Sequence, residues 1–263
     1  IVLGNPNGSP TAGDAAGTTG TLRLLADRLV LGEGAGVGTR VSGVGRLELA
    51  AGDSLTFSGN GRLTAAGDIA LAAGDMIAAT GARQAVVADG ALGTTALAAP
   101  AVLAEAGLGA HLDFSGASVA HGARLRLPSG AITLTARSGD VDVLAGGLLD
   151  AAGRWQSFGS TGRASPGGSL TLRADAGNVT VASGAQIDLR GPQGADAGVL
   201  SVAAPTGTAT LAGQLLGGAL PAADGSRGRG GEANVDVATV GDFSALNGAL
   251  EAGGFDAARR LRV

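Results

Sequence analysis

The chain of 263 residues has no cysteine, no tyrosine and a single tryptophan, and aromatic residues make up 2% of it. Without cysteine there is no disulfide framework and no thiolate metal site. Globular cores normally rely on aromatic bulk. A chain this poor in rings must fill its interior with thin layers of aliphatic side chains, which suits a narrow solenoid. Lysine is also missing, all 18 basic residues being arginine, and the net charge is −4. No global basic field exists to draw in nucleic acid or anionic lipid. No stretch approaches the roughly 18 consecutive apolar residues of a membrane span, so no membrane insertion is expected. Prolines number eight and glycine does not recur at every third position, which excludes collagen. With 45% hydrophobic and only 15% charged residues, the composition is also opposite to that of disordered chains. The chain opens at Ile1 with neither Met nor a basic-then-apolar leader, and reads over 1–263 as one solenoid segment of a longer polypeptide.

What is abundant is glycine, 49 residues of it, punctuating short alternating aliphatic segments. Ile132 and Leu134 share one face, Val141 and Val143 follow nine residues later, and Leu149 eight after that. The next unit keeps the same offsets with Leu170 and Leu172, Val179 and Val181, then Ile187 and Leu189. A third unit runs from Leu200 and Val202 through Ala209 and Leu211 to Leu215, and a fourth opens at Val235 and Val237 and is expected to continue through Phe243. Leu47 and Leu49, Leu55 and Phe57, Leu63, and Ile69 and Leu71 show a tighter version in the first half.

Antiparallel hairpins favour two-residue Asn-Gly or Asp-Gly loops at the centre of each pair. Here similar triplets follow one another by translation, which means parallel stacking at about 4.8 Å. The expected architecture is all-β, a right-handed parallel β-helix solenoid with three strands per coil. Gly139, Gly146, Gly177, Gly184 and Gly207 fall at turns where positive φ is expected. The alanine-rich stretch 89–110 reads as an irregular or short helical excursion. Insertions at 154–168, 191–198 and 221–231 each follow the third strand of a unit and should emerge along one edge.

The units SGAITLTARSGDVDVLAGGLLDAAG and GGSLTLRADAGNVTVASGAQIDLRGPQG, with Gln186-Ile-Asp-Leu-Arg-Gly191 and the run Gly167 to Leu172, resemble coils of the filamentous haemagglutinin family, the large exoproteins of Gram-negative two-partner secretion. Asn5-Pro-Asn-Gly8 is similar to a turn of that family's secretion domain, although the rest of that domain's pattern does not follow. The resemblance implies a secreted or cell-surface rod, exported through an outer-membrane two-partner transporter and presented to host-cell proteins or glycans, or to like subunits.

Several groups are candidates for chemistry. Asp150 and Asp188 occupy matching third-strand positions, with Asp140 and Asp142 alternating outward around Val141. On neighbouring coils such carboxylates would sit about 5 Å apart, the spacing of retaining glycosidases, although outward Asp on a strand is commonly solvated. Gly191 to Gly198 partly matches a calcium-binding nonapeptide, with Pro192 and Gly198 as mismatches. His111 and His121 read as surface histidines rather than ligands, and neither metal nor cofactor is expected. Arg154, Trp155, Phe158 and Arg163 lie in the longest insertion. They form either an exposed sugar-stacking or protein-binding patch or a cover folded over the rod wall. Arg227 and Arg229, with Arg259, Arg260 and Arg262, lack aromatic interleaving and read as solvated edges rather than a nucleic-acid site.

The expected function is a non-enzymatic extracellular rod or stalk segment of an adhesin-like exoprotein. A β-helical polysaccharide hydrolase or lyase and a self-assembling filament subunit are the alternatives.

Overall fold

The computed structural model describes residues 2–3, 19–32, 37–159 and 161–263. Asn5 to Gly8 lie outside the described residues. Among these described residues strands dominate: 21 of them form one sheet joined by parallel pairings, and two more form a small separate sheet. The pairings sort into three ladders visited in a fixed order. The first holds Val119–Gly122, Val141–Val143 and Val179–Val181. The second holds Arg124–Arg126, Leu148–Asp150, Gln186–Asp188 and Gln214–Leu216. The third holds His111–Gly116, Ala131–Ala136 and Ser169–Ala174, continues into Val199–Leu211 and Glu232–Thr239, and ends at Ala258–Arg262. In the N-terminal half one long strand serves two ladders, bending at a register shift between Ala51 and Ser54.

Register follows from side-chain alternation, because a slip of one residue would turn every aliphatic group outward. Ile132 pairs with Leu170 and Leu134 with Leu172, Val141 with Val179, and Leu149 with Ile187. All of these are buried in one continuous core. Each full-sized aliphatic side chain removed from water contributes roughly 1.5–3 kcal/mol, and thin single-file columns suffice because every rung adds one more. Two of the five phenylalanines, Phe57 and Phe114, meet edge-on within this core, ring centroids 5.9 Å apart.

The corner between the third and first ladders corrects one expectation. Of the five turn glycines, only Gly146 (φ 82°) and Gly184 (φ 83°) have positive φ. Gly177 and Gly207 are required by proximity instead: a Cβ on Gly177 would lie 2.3 Å from the Gly139 carbonyl oxygen, and one on Gly207 2.2 Å from that of Gly177, whereas one on Gly139 would come no nearer than 3.1 Å to the Ser118 Cβ. Beside this glycine column runs a polar one. Asp140 Oδ1 accepts the Asn178 backbone N–H (2.7 Å), and Asn178 Oδ1 accepts that of Thr208 (3.0 Å). Each side chain thereby satisfies a corner amide of the next rung, which the bend removes from the ladder.

Two further expectations are revised. Phe243 does not continue a strand; it opens the helix α1, Phe243–Ala252, whose N-terminus is capped by Asp242 accepting from the Ala245 N–H (2.9 Å). Leu246 and Leu250 of α1 join the core, and Phe255 just beyond is fully buried. The helix therefore lies over the last rungs of the first and second ladders. His121, read as a surface residue, is wholly buried. Its Nδ1 sits 2.8 Å from Thr94 Oγ1 and its Nε2 3.2 Å from the Leu148 carbonyl. A carbonyl only accepts, so Nε2 carries the proton and Nδ1 accepts from the threonine hydroxyl. Burial holds the imidazole down at about 4, against the pull of the Leu148 and Ala123 carbonyls. The folded protein thus disfavours imidazolium while the unfolded chain does not. Stability should be fully present above pH about 6.5 and fall as the pH drops toward 4, by roughly 3 kcal/mol in total. Urea titrations across that window measure it, and His121→Gln should flatten that part of the profile.

The stretch 89–110 contributes a strand before it departs. Leu92–Ala96 stays in the first ladder, paired with Asp68–Ala78 below and Val119–Gly122 above. From 97 to 110 the chain leaves the rod, and the second ladder closes without it: Met76 pairs with Leu125 and Ile77 with Arg126. Pro100, lacking an N–H, fits poorly in an interior ladder. The extruded segment folds back over that face, where the outward-pointing Ile77 is left 4% exposed.

Candidate functional site

The insertions 154–168, 191–198 and 221–231 leave after the second ladder and return to the third, and 97–110, which leaves after the first ladder, also returns to the third, so these four meet along one side of the rod. Polar groups join each to the next. Arg126 grips the fully buried Asp75 with two hydrogen bonds, Nε to Oδ1 at 3.0 Å and Nη2 to Oδ2 at 2.5 Å. The same Nη2 donates to the Ala104 carbonyl (2.7 Å), fastening the extruded segment 97–110 to the rod. Arg154 donates to the Ala106 carbonyl (3.0 Å) and lies 3.6 Å from Glu105, which ties that segment to the next insertion. Gly153 N–H donates to the Arg190 carbonyl (2.8 Å) and Gly167 N–H to the Asp196 carbonyl (2.9 Å). Gly194 N–H reaches Leu220 O (2.7 Å), and Ala197 N–H reaches Arg229 O (2.9 Å). The result is an unbroken wall of irregular chain. Its exposed apolar groups include Val102, Leu103, Trp155 and Leu220.

Asp150 and Asp188 stand in register at the foot of this wall, in an outward column continued by Arg126. Asp188 is largely buried rather than solvated and is held by Arg190, whose Nη2 lies 2.5 Å from Oδ2. Asp150 Oδ1 accepts the Ala152 N–H (3.0 Å). Burial pushes the Asp150 carboxyl up, the Asp188 charge adding to this, while the Ala152 N–H, Arg126 and Arg154 pull it down. Asp142, half-buried, is likewise raised by burial and by Asp140. One carboxyl raised beside another held by arginine is a pattern shared by acid–base pairs and by structural charge columns; here each carboxylate already has a protein partner.

Several other candidates are also engaged. Asp196, in the calcium-like segment, accepts the Arg229 backbone N–H on Oδ1 (2.7 Å). Arg260 pairs with Glu232 at 3.1 Å, Arg259 lies 3.8 Å from Glu251, and Arg262 pairs with Asp236. Among the described residues no group of three or more His, Asp or Glu side chains is placed to hold a metal.

No protein-family model, curated protein or solved structure matches the chain.

Arg154, Trp155 and Arg163 come together in a hairpin of Trp155–Phe158 paired antiparallel with Thr161–Ala164. Its base is clamped, since Ser165 Oγ accepts the Arg154 N–H (2.9 Å) and donates to the Arg154 carbonyl (3.0 Å). Trp155 is 42% exposed and lies across Gly162 of the facing strand. Arg163 is exposed and pairs in register with Gln156. The Phe158 side chain lies outside the described residues. Sequence reasoning missed Asp75, Glu105, Arg126 and Arg190 as members of this edge. The only linear hint was a lone Asp after Gly74 within the apolar run ALAAGDMIAA.

Proposed function

We propose that the chain is a right-handed β-helix with three strands per coil, serving as a non-enzymatic segment of an extracellular adhesin-like rod of the filamentous haemagglutinin type. In this reading it leaves the cell through an outer-membrane two-partner transporter and presents its insertion-bearing edge to a host-cell protein or glycan. Three ladders visited in constant order and the repeat units quoted above support the architecture. The observation that carries the function is the wall itself. Four insertions, 97–110, 154–168, 191–198 and 221–231, lie along one side and are bonded each to the next, while the corner between the third and first ladders is a column of glycine and Asx side chains. A surface so divided suits many weak contacts made at once along a line.

Labelled chain incubated with epithelial cells should bind saturably, and two copies joined in tandem should bind on the order of a hundredfold more tightly. A variant with 155–164 and 221–230 replaced by short Gly-Ser turns should lose most retention. Equal retention of trimmed and intact chain would defeat the reading. A hydrolase or lyase would draw on Asp150 and Asp188. Filament assembly draws less support, because α1 covers part of the end a further copy would stack upon.

A further inference from the structure

We infer that Trp155 is a stacking platform for a neutral pyranose ring, so that the ligand class of the insertion-bearing edge is an uncharged glycan; this rests on the adhesive reading above. The chain's only tryptophan is spent where it stabilises the core least. Cross-strand register puts Trp155 and Ser157 on one face of the hairpin together with their partners Ala164 and Gly162. A Cβ on Gly162 would fall 2.2 Å from Trp155 Cζ2, so the ring lies against the backbone of the opposite strand and only glycine permits it to do so. The indole is held against Gly162 while the residue stays 42% exposed, and the other residues on its face of the hairpin, Ser157 and Ala164, are small. The clamp at Ser165 keeps the ribbon from swinging, and Ser129 braces it from the adjacent rung, its hydroxyl 2.7 Å from Ser165 Oγ.

The size and charge of this shelf select among ligands. Stable protein interfaces remove about 800 Å² from each partner, far more than a single ring flanked by small residues offers. A cationic guest is disfavoured, because the insertion carries Arg154 and Arg163 and no acidic residue between 153 and 168. A pyranose presents a patch of C–H groups matched in area to one indole face, and its hydroxyls remain in water or reach the rim. No strong field is needed for such contact. Its individual weakness fits a rod that gains affinity through multiplicity.

The composition supplies the probe. With no tyrosine and one tryptophan, red-edge excitation reports on Trp155 alone. Titrating the intact chain with neutral β-galactoside and β-glucoside oligosaccharides should shift the emission to the blue and shield the ring from iodide. Trp155→Phe should keep binding within about threefold, and Trp155→Ala should weaken it about tenfold, the equivalent of one aromatic contact. Gly162→Val, which displaces the ring without removing it, should match the alanine variant, with unchanged thermal unfolding verifying the rod. Emission indifferent to every neutral saccharide up to millimolar concentration would overturn the inference, as would binding unaltered by Trp155→Ala, or capture of cell-surface protein alone after the cells are stripped of glycans. Failure of the intact chain to bind any cell, with the saccharide shift present, would sink the adhesive reading and leave the platform standing.

Discussion

Gly168→Val should destabilise the protein by on the order of 3 kcal/mol or more, one of the two largest effects expected of any single substitution here. A Cβ at this position would lie 1.9 Å from the Gly130 carbonyl oxygen, and the next glycine of the column, Gly198, stands in the same relation to Gly168 at 2.0 Å. Nothing flexible can yield, because the obstructing atoms are backbone. The same atoms are engaged in the ladder: Ser169 N–H donates to Gly130 O (2.9 Å) and Val199 N–H to Gly168 O (3.0 Å). Relief of the clash must stretch one rung away from the next. Denaturant midpoints measure the loss, and hydrogen exchange should localise it to 130–136 and 169–174. Gly93→Ala is the matched control. Space around Gly93 is open, so its effect should stay within about 0.5 kcal/mol.

Arg126→Ala should cost about 3–5 kcal/mol, since it strands the carboxylate of Asp75 where water does not reach. It also frees the Ala104 carbonyl, so 97–110 should become a preferred site of limited proteolysis while the rod remains resistant. The test of mechanism is the double variant Arg126→Met with Asp75→Leu. If the penalty is the orphaned charge rather than lost packing, the double change should recover most of the stability; a double variant as weak as the single one would assign the loss to the released segment.

How much of this was legible beforehand depends on how local each signal is. The aliphatic triplets at 132–149 and 170–189 declare their faces, because alternation and repeat length are properties of a few dozen consecutive residues. Phe243 misled because an apolar residue fits either period. The helix signal was Asp242 one residue earlier, an N-cap, and it was masked by the turn-like pair Asn247-Gly248 inside the helix. At Gly177 and Gly207 the sequence marked the right residue for the wrong cause, since the distance between two rungs is invisible in either rung alone. Burial of His121 needs Thr94 and Leu148, each 27 residues away. The Asp75–Arg126 pair spans 51 residues and forms only because a rung is skipped. The hairpin was legible as an insertion containing a tryptophan, but not the ring's seat on Gly162.

The skipped rung also bears on the order of assembly. Elsewhere each strand finds its partner one circuit later, so a chain emerging from its N-terminus can lay down rung upon rung without delay. Met76 and Ile77 are the exception: their neighbour above is Leu125 and Arg126, and four intervening strands, Arg83–Ala88, Leu92–Ala96, His111–Gly116 and Val119–Gly122, must settle on the flanking ladders first. Until Arg126 arrives, Asp75 has no counter-charge and that flank stays open. Among the described residues the construction of this polypeptide therefore has one built-in waiting point, placed where 97–110 leaves the surface.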